Sequence, residues 1–132
     1  MRGPLFTDTI TLYNRVRSGR VETWCKTVLN GVQVQQKSLD AVTATGESVF
    51  TTETRITIPY EDHAGFVTPE QYAGAGWTLR REDIVVIGEC SDVPSAQMSI
   101  DDIKKAHAGV VIKEATDDTR RPRLRVWKAR CV

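Results

Sequence analysis

The sequence predicts a mostly β protein, a small antiparallel barrel or sandwich of six or seven strands with one or two short helices and a long loop. Three observations lead to this expectation. Apolar and polar residues alternate through most of the chain, which is the period of a half-buried strand. Only two short segments have helix signals, and a chain of 132 residues has the size of one domain. We therefore expect residues 1–132 to form a single barrel domain.

The first part of the chain has the pattern of strands separated by glycine turns. Residues 6–13 alternate cleanly, Ser18-Gly19 marks a turn, and a second strand begins at Val21. Asn30-Gly31 then allows two interpretations. It is either the turn of a hairpin or a glycine bulge within one long strand. The sequence alone leaves both open.

Residues 36–48 are polar, small and weakly patterned, which predicts a long loop or a flexible hairpin. Loops of this length in compact domains are more often functional than idle. The strand pattern resumes from Val49 to Tyr60, and Pro59 indicates that the strand ends there or lies at an edge. The segment Thr68-Pro69-Glu70-Gln71 has the signals of a helix start, but the glycines that follow limit it to a single turn.

The last third of the chain predicts three strands and one helix. Residues 84–87 are a short apolar run, typical of a fully buried strand. Residues 99–106 form a short helix that begins at a serine, with acids in its first turn and lysines in its last. Residues 110–116 and 123–131 form the two closing strands.

Charge is balanced overall but divided unevenly along the chain. The 18 basic and 17 acidic residues give a formal charge of +1, which argues against a general nucleic-acid binder. Residues 67–118 hold five basic and ten acidic groups, a net of −5, whereas residues 119–132 hold six basic groups and no acid. This division favours head-to-tail attraction to another copy or a partner. The alternative is an edge strand that is protected by charge.

Side chains that could perform chemistry do not converge in the sequence. Glu61-Asp62-His63 places two carboxylates beside an imidazole, but adjacent side chains on a turn diverge, so we expect no enzyme and no cofactor. The cysteines fit neither a disulfide framework nor a zinc site, and we expect reduced, buried thiols and no metal: Cys25, Cys90 and Cys131. The tryptophans are expected in the core rather than as stacking platforms: Trp24, Trp77 and Trp127.

Membrane segments are not expected either. No apolar run approaches the ~20 residues of a membrane helix, and the residues after Met1 do not lead into a signal peptide. The sequence therefore predicts a soluble cytosolic product.

Several ordered segments are similar to those of one known class of proteins. The chain resembles small minor capsid or head–tail connector proteins of tailed phages of Gram-positive bacteria. The resemblance is spread over most of the chain and rests on Asp8–Asn14, Trp24–Val32, Arg55–Tyr60, Gly76–Leu79, Asp83–Glu89 and Arg125–Trp127. The part of the chain that departs from this pattern is Ser38–Ser48.

The resemblance implies a compact β-barrel that assembles as a ring in the phage neck. Its partners would be copies of itself, the portal/adaptor ring above, and tail-tube or tail-terminator proteins below, and contact with packaged DNA in the channel is left open as an alternative. Such a protein closes the DNA channel after packaging, a head-closure or stopper role, and docks the tail. It would lie in the virion neck after assembly in the host cytoplasm. A tail-terminator role in the same neck is the alternative, and a small nucleic-acid-binding barrel is the alternative from another class.

Two sets of residues are candidates for the contacts of such a ring. A segment of 13 residues folded back on itself reaches on the order of 20 Å, enough to enter a channel or to hold a neighbouring ring. We assign this partner or channel role to Lys37, Ser38, Leu39, Asp40, Ala41, Val42, Thr43, Ala44, Thr45 and Gly46. We expect a basic interface strand to contact an acidic neighbour in preference to packaged DNA: Arg120, Arg121, Arg123 and Arg125.

Overall fold

Six antiparallel strands close into one barrel in the order β1-β2-β3-β6-β5-β4, which confirms the predicted small antiparallel β-barrel. The structure, a computed structural model, describes residues 6–42, 44–46, 48–61, 63–95, 97–120 and 125–132. The elements are β1 (Asp8–Ser18), β2 (Val21–Val42), β3 (Ser48–Pro59), β4 (Ile84–Ile87), α1 (Ile100–Ala106), β5 (Val110–Asp117) and β6 (Val126–Cys131). Among the described residues, no helix is both long and apolar enough to span a membrane.

Asn30-Gly31 is a bulge within one long strand, and the hairpin interpretation is wrong. Asp8 pairs with Val32 and Thr9 pairs with Asn30, so the register shifts by one residue at Gly31. Gly31 has a φ of 71°, a backbone conformation that side chains other than glycine rarely adopt. Beyond the bulge β2 leaves β1 and pairs with β3. The bulge therefore turns β2 from one side of the barrel to the next.

The barrel interior is filled by aliphatic side chains and by an aromatic cluster at one end. Trp77 and Trp127 are 2% and 3% exposed, as predicted, and their ring centroids lie 5.0 Å apart. Phe66 stacks on Trp127 at 4.7 Å. Trp77 is carried by the connection between β3 and β4, and its Nε1 donates to the Ala64 carbonyl at 2.9 Å. Trp24 is only half-buried and packs outside the barrel.

A buried polar network holds the same connection against β1. The Asn14 side chain donates from Nδ2 to Asp83 Oδ2 at 2.7 Å and to the Thr78 carbonyl at 2.8 Å. Arg80 Nε donates to the same Asp83 oxygen at 3.2 Å. Asn14 and Asp83 are 0% and 2% exposed, so their polar atoms depend on these bonds.

Helix α1 forms where the sequence predicts it. Ser99 accepts from the Asp102 backbone N–H, and the Asp102 side chain accepts from the Ser99 N–H, which completes a capping box. Ile103 is fully buried beneath the helix, in a cluster with Tyr13, Ile84, Val86 and Cys90 outside the barrel interior. The segment at Thr68–Gln71 forms a hydrogen-bonded turn, not a helix.

The structure decides one open expectation about the candidate contact residues and corrects another. Of the two forms predicted for residues 36–48, a long loop or a flexible hairpin, the structure has the hairpin, because β2 continues to Val42 and pairs with β3 from Ser48 onward. Cross-strand pairing satisfies backbone groups that an irregular loop would leave to solvent. The predicted basic interface strand is wrong for its two described members, which do not lie on the last strand, because β6 begins at Val126. Arg120 lies in a turn, Arg125 precedes β6, and Arg121 and Arg123 lie outside the described residues.

Candidate functional site

The hairpin between β2 and β3 extends beyond the barrel. β6 pairs with β3 only from Thr54 to Pro59, whereas the β2–β3 pairing continues from Lys37↔Glu53 to Val42↔Ser48. We call these six residue pairs, Lys37–Val42 with Ser48–Glu53, the β2–β3 arm. At about 3.3 Å per residue the arm is on the order of 20 Å long. Of the described strands, no third strand pairs with either side of it.

The predicted contact residues divide between the strands and the turn of this hairpin. Lys37–Val42 form the β2 side of the arm, and residues 44–46 lie in the turn at its tip. Thr43 lies outside the described residues. Most of the segment that was predicted as a long loop or flexible hairpin is therefore one strand of a paired two-stranded ribbon. Such a ribbon has a defined direction, which a loop lacks.

The base of the arm is fixed by a buried carboxylate. The Glu53 side chain is 5% exposed, accepts from Arg55 Nε at 3.0 Å and lies 3.5 Å from Arg130 Nη1. Arg130 also donates from Nε to Glu114 at 3.4 Å. Two cations therefore compensate one buried charge, and they connect β3, β5 and β6 at the point where the arm leaves the barrel.

A polar groove lies on the outer face of the barrel next to this base. Its volume is about 360 Å³, and β2, β3, β5 and β6 all contribute to its lining. Charged side chains of both signs line it: Arg55, Glu114, Lys128 and Arg130. A groove lined by charges of both signs suits contact with another protein more than it suits an apolar ligand.

Part of the charge division found in the sequence is neutralised within the chain. β5 and β6 are neighbours, so Arg130 lies 3.4 Å from Glu114 and Lys128 lies 3.9 Å from Asp118. The net of −5 against +6 therefore overstates the charge that is available to a partner. The sequence could not show this, because these contacts depend on which strands pair.

Arg120 and Arg125 lie at the opposite end of the barrel from the arm. Tyr60, which follows β3, donates its backbone N–H to the Arg125 carbonyl at 3.0 Å, and the Arg125 guanidinium lies 5.8 Å from the centre of the Tyr60 ring. Burial raises the pKa of Asp117, but hydrogen bonds from Thr119 and the charge of Arg120 outweigh burial and lower it overall. The described members of the two predicted contact sets thus lie at two ends of the barrel.

His63 has a structural position. Its Nδ1 lies 2.7 Å from the Pro59 carbonyl oxygen, and its Nε2 lies 2.5 Å from the Asn30 carbonyl oxygen. The imidazole therefore bridges the end of β3 and the bulge in β2. Asp62, the other group considered for chemistry with Glu61, lies outside the described residues. Both ring nitrogens face backbone carbonyls, so this imidazole is engaged by the fold.

One cluster of potential ligands was missed at the level of sequence. The ligand atoms of Cys90, Asp92 and His107 all lie within 4.8 Å of one another. Only the packing of α1 on the barrel through Ile103 brings His107 to the other two residues. The separation of 15 residues between Asp92 and His107 matches no compact metal motif, so the sequence offered no direct signal.

The fold defines the chain as a small closed antiparallel barrel with one projecting arm. The family model for DUF6751, a family of unknown function, matches residues 5–132, and the chain belongs to this family. Comparison with curated proteins gave no match, and comparison with solved structures gave none either.

Proposed function

We propose that this chain is a structural protein of a tailed-phage neck, a ring-forming head–tail connector of the head-closure type. It seals the DNA channel after packaging and docks the tail. The observation that carries the proposal is the β2–β3 arm, a ribbon of six residue pairs that projects from an otherwise closed barrel. The segments that resemble connector proteins support the same class.

The arm suits contact with another subunit because of its strand edges. The closed barrel leaves its strands paired on both sides, whereas each strand of the arm has one edge without a strand partner among the described residues. Exposed strand edges are templates for pairing with another chain. An isolated two-stranded ribbon is marginally stable in water, so a neighbour that covers it would stabilise it.

The two ends of the subunit fit an assembly with different partners on each side. A ring needs two different surfaces that meet head to tail, and such contacts close when the rotation between subunits permits. The arm supplies one surface. The opposite end presents the exposed Arg120 and Arg125, which in our proposal contact an acidic neighbour, either the next subunit or the adjoining ring.

An arm-shortened variant tests the proposal. Replacing residues 39–51 by Asn-Gly joins Ser38 to Thr52 through a tight turn and retains Glu53 at the base. We expect this variant to fold, with unchanged far-UV circular dichroism, but to fail to restore DNA retention and tail joining in particles that lack the native gene. A Thr45→Ser variant in the turn is the matched control. Normal tail joining by the shortened chain would contradict the proposal.

Binding to nucleic acid separates this proposal from the alternative class. A free nucleic-acid-binding barrel would shift single- or double-stranded DNA in a gel at low salt, with a steep dependence on salt concentration. We expect no such shift for the isolated subunit, because its charge is balanced and Lys128 and Arg130, among its last cations, are paired internally. A strong, salt-dependent shift would favour the nucleic-acid-binding function.

A further inference from the structure

We propose that Cys90, Asp92 and His107 form a binding site for a divalent transition-metal ion, with Zn²⁺ as the ion that fits the donors best. A thiolate, a carboxylate and an imidazole are the three ligand types that zinc takes in proteins. The site is independent of the proposed neck function.

The spacing of the three ligand atoms is close to what a tetrahedral ion requires. Bonds of about 2.0–2.3 Å to a central ion place neighbouring ligand atoms on the order of 3.5 Å apart. All three atoms lie within 4.8 Å of one another, and His107 Nε2 lies 2.6 Å from Asp92 Oδ2. Side-chain movements of about 1 Å would bring the set to coordination geometry, which side-chain rotation alone can supply.

Two side-chain hydroxyls of the barrel hold the backbone at two of the ligand residues in place. The Cys90 backbone N–H donates to Thr11 Oγ1 at 2.8 Å. The Tyr13 hydroxyl donates to the Asp92 carbonyl at 2.7 Å. Both Thr11 and Tyr13 are buried in β1, so the segment that follows β4 is fixed before any ion binds. A fixed set of ligands reduces the ordering cost of binding.

The third ligand is placed by α1. His107 is the C-cap residue of the helix, and its backbone N–H donates to the Ile103 carbonyl at 3.1 Å. Because Ile103 is fully buried, the end of the helix cannot move far from the barrel. The imidazole ring therefore reaches the Cys90–Asp92 segment from an independent element.

Burial differs among the three ligands in a way that suits an ion open to solvent on one side. Cys90 is 2% exposed, whereas the side chains of His107 and Asp92 are 36% and 38% exposed. The ion would lie between a buried sulfur and two solvent-facing ligands, with water in the fourth position. Binding requires the thiolate, so the Cys90 proton is released to solvent as the metal–sulfur bond forms.

Lys26 is the cation that contacts this segment, and its position is compatible with a metal. Its Nζ donates to the Cys90 carbonyl oxygen at 3.2 Å, so the ammonium is engaged by a backbone oxygen and not by one of the three ligand atoms. A bound ion would connect the β4–α1 connection to the helix end. We expect it to stabilise the folded state by mass action.

Titration of the purified, untagged chain with Zn²⁺ and with Co²⁺ tests the site. We expect one ion per chain, a thiolate-to-cobalt charge-transfer band, and a melting temperature that rises with Zn²⁺ concentration. His107→Gln and Asp92→Asn should each weaken binding by at least about 100-fold, since loss of a supporting partner alone costs about 10–100-fold. Cys90→Ser should abolish the charge-transfer band. Cys25→Ser is the thiol control and should leave binding unchanged.

Variants of the two solvent-exposed ligands give a clear result, because these substitutions are not expected to disturb the core. His107→Gln and Asp92→Asn alter half-exposed side chains, so they are informative even if Cys90→Ser fails to fold. Absence of saturable binding by the native chain would overturn the proposal. Equal affinity in the His107→Gln and native chains, or loss of binding in Cys25→Ser, would do the same.

Discussion

The buried carboxylate of Glu53 lies 3.5 Å from the guanidinium of Arg130 and joins the first residue pair of the β2–β3 arm to β6. Glu53→Gln removes the negative charge that Arg130 and Arg55 both contact. We expect the free energy of unfolding to fall by about 1–2 kcal/mol, since both arginines are partly exposed and screened by solvent. Urea denaturation measures the change. Glu114→Gln, whose side chain is 63% exposed, should alter stability by less than about 0.5 kcal/mol.

Disrupting the Asn14–Asp83 contact is expected to lower the free energy of unfolding more than Glu53→Gln does. Asp83→Asn removes the negative charge of a buried carboxylate whose Oδ2 accepts hydrogen bonds from Asn14 Nδ2 and Arg80 Nε. Removing one partner of a buried ion pair lowers the free energy of unfolding by about 3–5 kcal/mol. We expect a decrease near the lower value, because the Arg80 side chain is partly exposed. Thermal and urea unfolding check it. Glu70→Gln, at an exposed position, is the control; an equal loss in both variants would contradict the role of the network.

Gly76 is expected to tolerate no side chain. A Cβ there would lie 2.2 Å from the Gly65 carbonyl oxygen, and its φ is +77°. Gly19 has a φ of +60° with nothing within 4 Å, so it provides a control with backbone strain and no clash. We expect Gly19→Ala to cost about 1 kcal/mol and Gly76→Ala at least about 3 kcal/mol. Unfolding free energies of the two variants give the difference directly.

Alkaline pH is expected to destabilise the fold through Cys131. Burial raises the pKa of its thiol from 9.0 to about 12, so above pH 9 the unfolded chain loses a proton that the folded chain keeps. The unfolded state then binds fewer protons, and stability falls as pH rises from about 9 towards 12, by at most about 1.4 kcal/mol per pH unit for this group.

A variant separates this contribution from other groups that titrate at high pH, among them Tyr13, whose phenol pKa burial also raises. Cys131→Ala should be less stable at pH 7, because it leaves a cavity in the core. Its stability should nevertheless decline less steeply above pH 9. Urea melts at several pH values measure both slopes, and identical slopes would show that Cys131 does not contribute.

Local patterns predicted those elements whose signals are contained in a short segment. The Ser99–Asp102 capping box is one example, and the core positions of Trp77 and Trp127 are another. Features that depend on which strands pair with each other could not be predicted from local patterns. The bulge at Gly31 was one of two open interpretations, because only the change of partner from β1 to β3 distinguishes it from a hairpin.

The candidate sites show the same limit. The sequence located the segment of the arm but not its strand pairing, since polar residues such as Lys37 and Ser38 give a weak strand pattern. It also counted Arg130 as an available cation, although strand pairing places it against Glu53 and Glu114. Cys90 and His107 meet only through the packing of α1, so their proximity is a tertiary property.

Copy number in phage particles tests most directly whether this chain is a neck subunit. Quantitative mass spectrometry of purified tailed particles from a phage that encodes the chain would compare its peptides with those of the portal protein. We expect the chain in every full particle, at a low and fixed ratio to the portal protein. Its absence from intact infectious particles, or a ratio that varies between preparations, would contradict the claim.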